Sequence, residues 1–247
     1  MCEVFKALTS IERAVVVKLY DRSGKVLVDV YTDGKFLFGA IGGEEALRLA
    51  ETVYKTGGVR EAEIGGLRAV AEFIEVGPLI TVVGSGAVAK ALVELGSAAG
   101  YRMAVVSPEG EEFPKAVLTS RDLKDLEKLV GEGSVVVVAT GGKPYEADVL
   151  YLALTRGAKY VGLLASQRRA AAMVAELVRR GLGLRYVLQK LRSPVGLDIG
   201  AKTAGEIAIS ILAEVTMALR SGTGKPLREV KSPELYLEKE VSLSSCS

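Results

Sequence analysis

Residues 79–100 read LITVVGSGAVAKALVELGSAAG, and the fold turns on how this stretch changes period. Leu79 to Val83 is a short apolar run of strand length. After the glycines, Val88, Leu92, Leu95 and Ala99 recur at three- and four-residue spacing, the stripe of a helix lying on a sheet. A strand apolar on both faces is covered on both faces, as in a parallel sheet. The alternation repeats downstream. RMAVVS (102–107) is followed by RDLKDLEKLV (121–130), whose Leu123, Leu126, Leu129 and Val130 form a helical stripe. SVVVVATGG (134–142) precedes a helix from Tyr145 to Thr155, and AKYVGLLAS (158–166) precedes one from Arg168 to Arg180. Thr203 and Glu206 have the spacing of a capping box, and they open a last helix striped by Ile207, Ile211, Val215 and Leu219. Strand and helix in regular alternation predict an α/β fold, a Rossmann-like doubly wound parallel-sheet domain over residues 77–220.

Working outward, residues 1–76 have a different grammar. Ala14 to Tyr20, Lys25 to Tyr31 and Lys35 to Phe38 are short apolar runs separated by Asp21-Arg22-Ser23-Gly24 and Thr32-Asp33-Gly34, good turn chemistry for an antiparallel meander. Glu44 to Tyr54 reads as a helix with Ala46, Leu47 and Ala50 inward, and Ala69 to Val76 returns to the sheet. The expectation is a small N-terminal α+β domain, with residues 221–247 as a C-terminal tail.

Composition narrows the function. The 247 residues are 49% apolar and 25% charged, as in a folded globular protein. No run approaches the roughly 18–20 apolar residues of a membrane span, and the opening MCEVFKALTSIERA lacks a basic region followed by an apolar one, so a cytoplasmic protein is expected. Lys plus Arg is 32 against 30 for Asp plus Glu, which gives nucleic acid no electrostatic footing. There is no histidine, which removes Ser/His and Cys/His catalytic pairs and imidazole metal sites. Cys2 and Cys246, near opposite ends, make neither a CxxC pair nor a thiolate cluster.

Candidate site residues gather at predicted strand ends. Gly84, Gly86 and Ala89 follow the G-x-G-x-x-A form of the dinucleotide fingerprint, and the backbone N–H groups of Gly84, Ser85, Gly86, Ala87 and Val88 are placed to hold a phosphate. The structural alternative is a glycine turn with no ligand. Ser107 ends the second parallel strand where an NAD site offers an acid, with Glu109 and Glu111 displaced into the loop, which weakens a nicotinamide reading. Thr140 and Gly141 follow the third strand. Ser166 precedes a helix whose first turn carries Arg168 and Arg169, against the helix dipole, so a bound anion or a carboxylate is expected beside them. Asp198 lies in SPVGLDIGAKTAGE, a non-periodic loop that serves a site or caps its own turn. Self-association is expected through the outer side of the meander and through Ala208, Leu212 and Met217, which flank the stripe of the last helix.

LITVVGSGAVAKAL, VVVVATGG, YVGLLASQRRA and above all SPVGLDIGAKTAGEIAISILAEV resemble the XdhC/CoxI family, accessory proteins of xanthine dehydrogenase and carbon monoxide dehydrogenase type molybdenum enzymes. The resemblance covers residues 24–220 and implies a homodimer that binds molybdopterin cofactor and delivers it, sulfurated with the help of a cysteine desulfurase, to a molybdenum hydroxylase apoenzyme. Gly84, Gly86, Val88 and Ala89 match the family's glycine turn, with Ala87 in its histidine position. Thr140 matches its Thr-His pair, with Gly141 for the histidine, and Asp148 matches the Asp downstream. Tyr160 to Leu164, Ser166 and Arg168 match a further strand end, and Pro194, Gly196 to Ala201, Thr203 and Glu206 keep the terminal motif. The family's acid after the second strand is Ser107, and its first-domain cysteine is lost around Glu44. These departures keep the backbone anion sites and drop the sulfur-handling side chains. The resulting expectation is a cofactor carrier without bond-making chemistry, in which neither Cys2 nor Cys246 carries sulfur. An NAD(P)-dependent oxidoreductase and a non-catalytic nucleotide-binding regulatory subunit are the alternatives.

Overall fold

β1 (Arg13–Tyr20) pairs antiparallel with β2 (Val26–Thr32) on one side and with β5 (Leu67–Glu75) on the other. β3 (Lys35–Phe36) and β4 (Val59–Ile64) complete a five-stranded sheet ordered β3-β2-β1-β5-β4. The structure, a computed structural model, describes residues 13–21, 23–75 and 77–232. The meander and the returning strand form as expected. α1 (Glu44–Thr56) lays Ala46, Ala50 and Val53 over Val15, Val17, Ala69 and Ala71, so one face of the sheet has a core. Strand β4, VREAEI, lends that core only Ala62 and Ile64, both half-buried; it sits at the sheet edge, where Glu61 pairs with Arg68 of β5 at 2.8 Å.

The second sheet is parallel throughout. Its strands are β6 (Leu79–Gly84), β7 (Arg102–Val106), β8 (Leu118–Ser120), β9 (Val135–Ala139), β10 (Tyr160–Leu163) and β11 (Leu191–Arg192), in spatial order β8-β7-β6-β9-β10-β11. Numbered within this sheet, that is the doubly wound order 3-2-1-4-5-6, which reverses direction between its first and fourth strands, β6 and β9. Alternate residues of β9 serve opposite cores, Val136 and Val138 one and Val135 and Val137 the other. On the first side lie α3 (Leu126–Leu129), α4 (Glu146–Thr155), α5 (Gln167–Arg179) and α6 (Leu184–Lys190); on the second lie α2 (Ala87–Ala98) and α7 (Ala204–Arg220). A last turn of helix, α8, spans Leu227–Val230. No helix among the described residues is long and apolar enough to cross a membrane.

Two sequence expectations change. The helix expected over 121–130 is a 3₁₀ turn, Leu123–Asp125, leading into the single turn of α3, because Asp122 caps the Lys124 N–H with its own side chain at 2.9 Å and Gly131 follows at once. Ala208 and Leu212 are not an open flank: both are buried among the residues of α2, and Ile209 is the exposed apolar residue of α7. The capping box forms, with Thr203 accepting from the Glu206 N–H and Glu206 from the Thr203 N–H.

Candidate functional site

The crevice between the carboxyl ends of β6 and β9 is where an open α/β sheet receives a ligand. Gly84 and Ala139 face each other across the last rung of that pair. At Gly84, φ is +132°, and a Cβ would run into the Ala139 carbonyl, so the two strand ends approach as closely as they do only without a side chain. Gly86 is the N-cap of α2 at φ +88°, and no atom lies within 4 Å of where its Cβ would stand. No side chain caps α2, so the amides of Ala87 and Val88 open onto the crevice with the positive end of the helix dipole. Ser85 and Val88 are half-buried, and Gly86 and Ala87 exposed.

The loop after β7 folds back onto this turn. Glu111 accepts the Gly86 N–H at 2.5 Å and pairs with Lys90 of α2 at 2.8 Å; these two donors hold its carboxyl below the usual carboxylate range. Glu109 reaches the other bank, accepting from the Tyr145 hydroxyl at 2.9 Å and meeting Lys143 at 3.4 Å. Burial and the Glu109 carboxylate raise the Tyr145 hydroxyl well above its ordinary value. Ser107, at the root of the loop, is 2% exposed; its N–H donates to the Ser120 carbonyl at 2.8 Å, but its Oγ has no hydrogen-bond partner among the described residues. It lines a cavity of about 460 Å³ together with Glu111, Glu112, Phe113, Thr119 and Arg121.

Beyond β9, the Thr140 hydroxyl donates to the buried carboxylate of Glu146, which also accepts the Gly142 N–H at 2.8 Å and takes Arg169 on both oxygens at 2.8 Å. This is the carboxylate expected beside the arginines. It belongs to α4 and serves Arg169, whereas Arg168 is exposed and without a partner among the described residues. Ser166 caps α5, accepting the Arg169 N–H at 3.4 Å, and Gly141 is exposed at the lip of the crevice. Asp148 points elsewhere, to Arg180 at 2.5 Å. Asp198 is exposed in the loop after the edge strand β11, where neighbouring motif residues have structural duties: Gly196 N–H and Tyr160 hydroxyl both donate to Glu214 at 2.8 Å, and Ser210 Oγ donates to the Leu197 carbonyl at 2.5 Å.

Thus Gly84 to Val88, Ser107, Thr140 and Gly141 surround one switch point, Ser166 and Arg168 stand at the neighbouring strand end, and Asp198 lies at the edge. Lys90, Glu111 and Glu146 are site residues that the sequence does not single out as such. The spacing of Glu111 from the second strand is legible in the sequence, but its return to Gly86 is loop geometry without a period. No group of three or more Cys, Asp or Glu side chains among the described residues could hold a metal ion. Cys2 and Cys246 lie outside the described residues.

Known proteins share this architecture. Uncharacterized protein YqeB of Escherichia coli K12 is 28% identical over 165 residues, covering 63% of this chain and 30% of its own length, so the chain spans less than a third of that relative. A crystal structure described as a xanthine dehydrogenase from Bacillus halodurans has a TM-score of 0.56 at 23% identity, covering 95% of this chain and 66% of that one, which shows a common fold. Residues 80–215 match the model of the XdhC Rossmann domain. That is more than half of the chain, and the chain therefore belongs to the XdhC/CoxI family.

Proposed function

We propose that this protein binds the molybdenum cofactor by its phosphate at the carboxyl ends of β6, β7 and β9 and presents it to a molybdenum hydroxylase apoenzyme, without making or breaking a bond itself. The observation that carries the reading is the Gly86 amide with Lys90 beside it, already engaged with an anionic oxygen, in a chain of this family. The donor set fits a phosphate ester: open space over Gly86, uncapped amides at Ala87 and Val88, and the Lys90 ammonium group. When bound, the cofactor brings the redox chemistry of the enzyme that receives it. This chain's part is to grip and orient: Gly86 and Lys90 hold the phosphate, while Arg168, exposed on the first turn of α5, offers a second cation. The Glu146–Arg169 pair fixes the wall between β9 and β10. Sulfuration falls to a cysteine desulfurase partner, since the chain's two cysteines, Cys2 and Cys246, both lie outside the stretch that resembles the family. The exposed Val26 and Val28 of the outer meander are the surface for homodimerisation in a cytoplasmic protein.

Calorimetric titration with molybdenum cofactor under anaerobic, reducing conditions tests the reading, and absence of binding overturns it. Gly86→Val places a branched side chain over the phosphate, and affinity falls by about 1–3 kcal/mol, the cost of an unmade buried hydrogen bond. Unchanged affinity in the folded variant removes this turn from the account. One observation favours a second reading, a nucleotide ligand such as NAD(P). Glu111, from the loop after the second parallel strand, lies beside the glycine turn, in the part of the chain from which a dinucleotide site draws its ribose-binding acid. Parallel titrations with NAD(H) and NADP(H) separate the two.

A further inference from the structure

The segment from Ser107 to Glu112 is a strap across the crevice. Glu111 ties it to Gly86 and Lys90 on the β6 bank, and Glu109 ties it to Lys143 and Tyr145 on the β9 bank. It therefore crosses the switch point itself, with a carboxylate seated where the helix start attracts an anion. Two features of the strap mark the arrangement as one of a pair. The Ser107 hydroxyl is buried with no acceptor among the described residues, and buried polar groups nearly always find a partner in the protein or in ordered water. The cavity that Ser107 lines also contains Arg121, whose only described bond is to the neutral Gly110 carbonyl at 3.3 Å. Room, a proton donor and a cation thus stand beside Glu111, and its side chain is only 26% exposed where it now sits.

We propose that Glu111 is an internal stand-in for a ligand phosphate: a phosphate ester binds Gly86 N–H and Lys90 Nζ only after Glu111 has moved into the adjoining cavity, where its carboxylate supplies the acceptor that Ser107 lacks and Arg121 balances its charge. The inference rests on the reading of the glycine turn as a phosphate site and adds to it a competitor built into the chain. A closed strap lowers apparent affinity by the fraction of molecules in which it is open. The exchange also makes chemical sense, since one anion replaces another on the same two donors and neither carboxylate nor hydroxyl is left buried without a partner.

Titration of the full chain with inorganic pyrophosphate tests this. With the strap closed in nine molecules of ten, Glu111→Ala binds about tenfold more tightly than the wild type, and Glu111→Gln, which keeps the volume and removes the charge, moves in the same direction. Lys90→Met binds more weakly than the wild type. Ser107→Ala removes the landing hydroxyl and weakens binding in the presence of Glu111, yet has no effect in the Glu111→Ala background. Wild-type affinity or weaker in both Glu111 variants, with their circular dichroism unchanged, overturns the competitor and leaves the phosphate site standing. No pyrophosphate binding by the wild type and the Glu111 variants alike overturns both.

Discussion

Each of the two sheets is organised around a buried carboxylate, but the carboxylates are satisfied in different ways. Asp29 of β2, fully buried, accepts four backbone N–H groups, those of Val30, Phe38, Ala40 and Ile41, at 2.7 to 3.2 Å. All four lie within twelve residues of it, so the cage fixes the shape of one loop, the stretch that leads into α1. Glu146, at the start of α4, takes its donors from Thr140, Gly142 and Arg169. It joins the loop after β9 to α5 and brings a counter-charge with it. A carboxylate caged by amides sets a local conformation, whereas one caged by a side-chain cation sets the distance between elements and leaves that cation dependent on it. Glu111 is a third case, partly exposed on two donors beside an open cavity, and that under-commitment is why exchange is assigned to it and not to the others.

Removing charge from each cage separates the cases. Asp29→Asn gives the largest effect, because one of the two oxygens becomes a donor facing two backbone N–H groups, one of them buried away from water. Urea unfolding should show a loss of about 3 kcal/mol, since an unmade buried bond costs about 1–3 kcal/mol and the part-buried one adds to it. A loss below about 1 kcal/mol would mean that the loop re-forms its bonds elsewhere and that the cage is not what shapes it. Glu146→Gln costs less, about 2 kcal/mol, since the Arg169 side chain is 39% exposed and water recovers part of the lost pairing. The comparison sharpens with a second substitution. Adding Arg169→Met to Glu146→Gln removes the stranded cation and should restore part of the stability, while no second substitution has that effect at Asp29, where every donor is backbone.

The same contrast explains what the sequence makes legible. The central parallel strands are continuous apolar runs because helices cover both faces, and β6, β7, β9 and β10 all stand where the pattern put them. The edge strands β8 and β11, three and two residues long, are too short to show any period, and β4, with Arg60, Glu61 and Glu63 along a solvent edge, lacks the apolar run of a central strand. At the site, Gly84 and Gly86 are legible because backbone conformation restricts residue type there. Glu111 and Glu146 are not, because a glutamate in a loop or a first helical turn has the same local pattern whether it faces water or a distant amide. Ser107 is legible as a position, the end of the second strand, but only the packing around it shows that its hydroxyl is buried without an acceptor among the described residues.

Glu206 is the one carboxylate cage that could be read from spacing alone, and it is the weakest. It accepts the Thr203 N–H at 2.8 Å and the Lys202 N–H at 2.7 Å at the exposed start of α7, and these amides, Thr203 first, hold its carboxyl below its ordinary value of 4.5. Because the folded value lies below the unfolded one, the ionised cap favours the folded protein at pH above about 4.5, and the contribution disappears as pH falls through the folded value. Glu206→Gln keeps an acceptor oxygen but not the charge that the helix dipole favours at this end. The expected outcome is a melting temperature about 1–2 °C below wild type at neutral pH, a gap that closes in acid as the wild-type carboxylate is protonated. Thermal unfolding of both proteins across the acidic range checks it. A gap that persists unchanged below the folded value would assign the difference to side-chain packing and take the electrostatic part out of this cap, leaving Asp29 and Glu146 as the carboxylates whose charge the fold depends on.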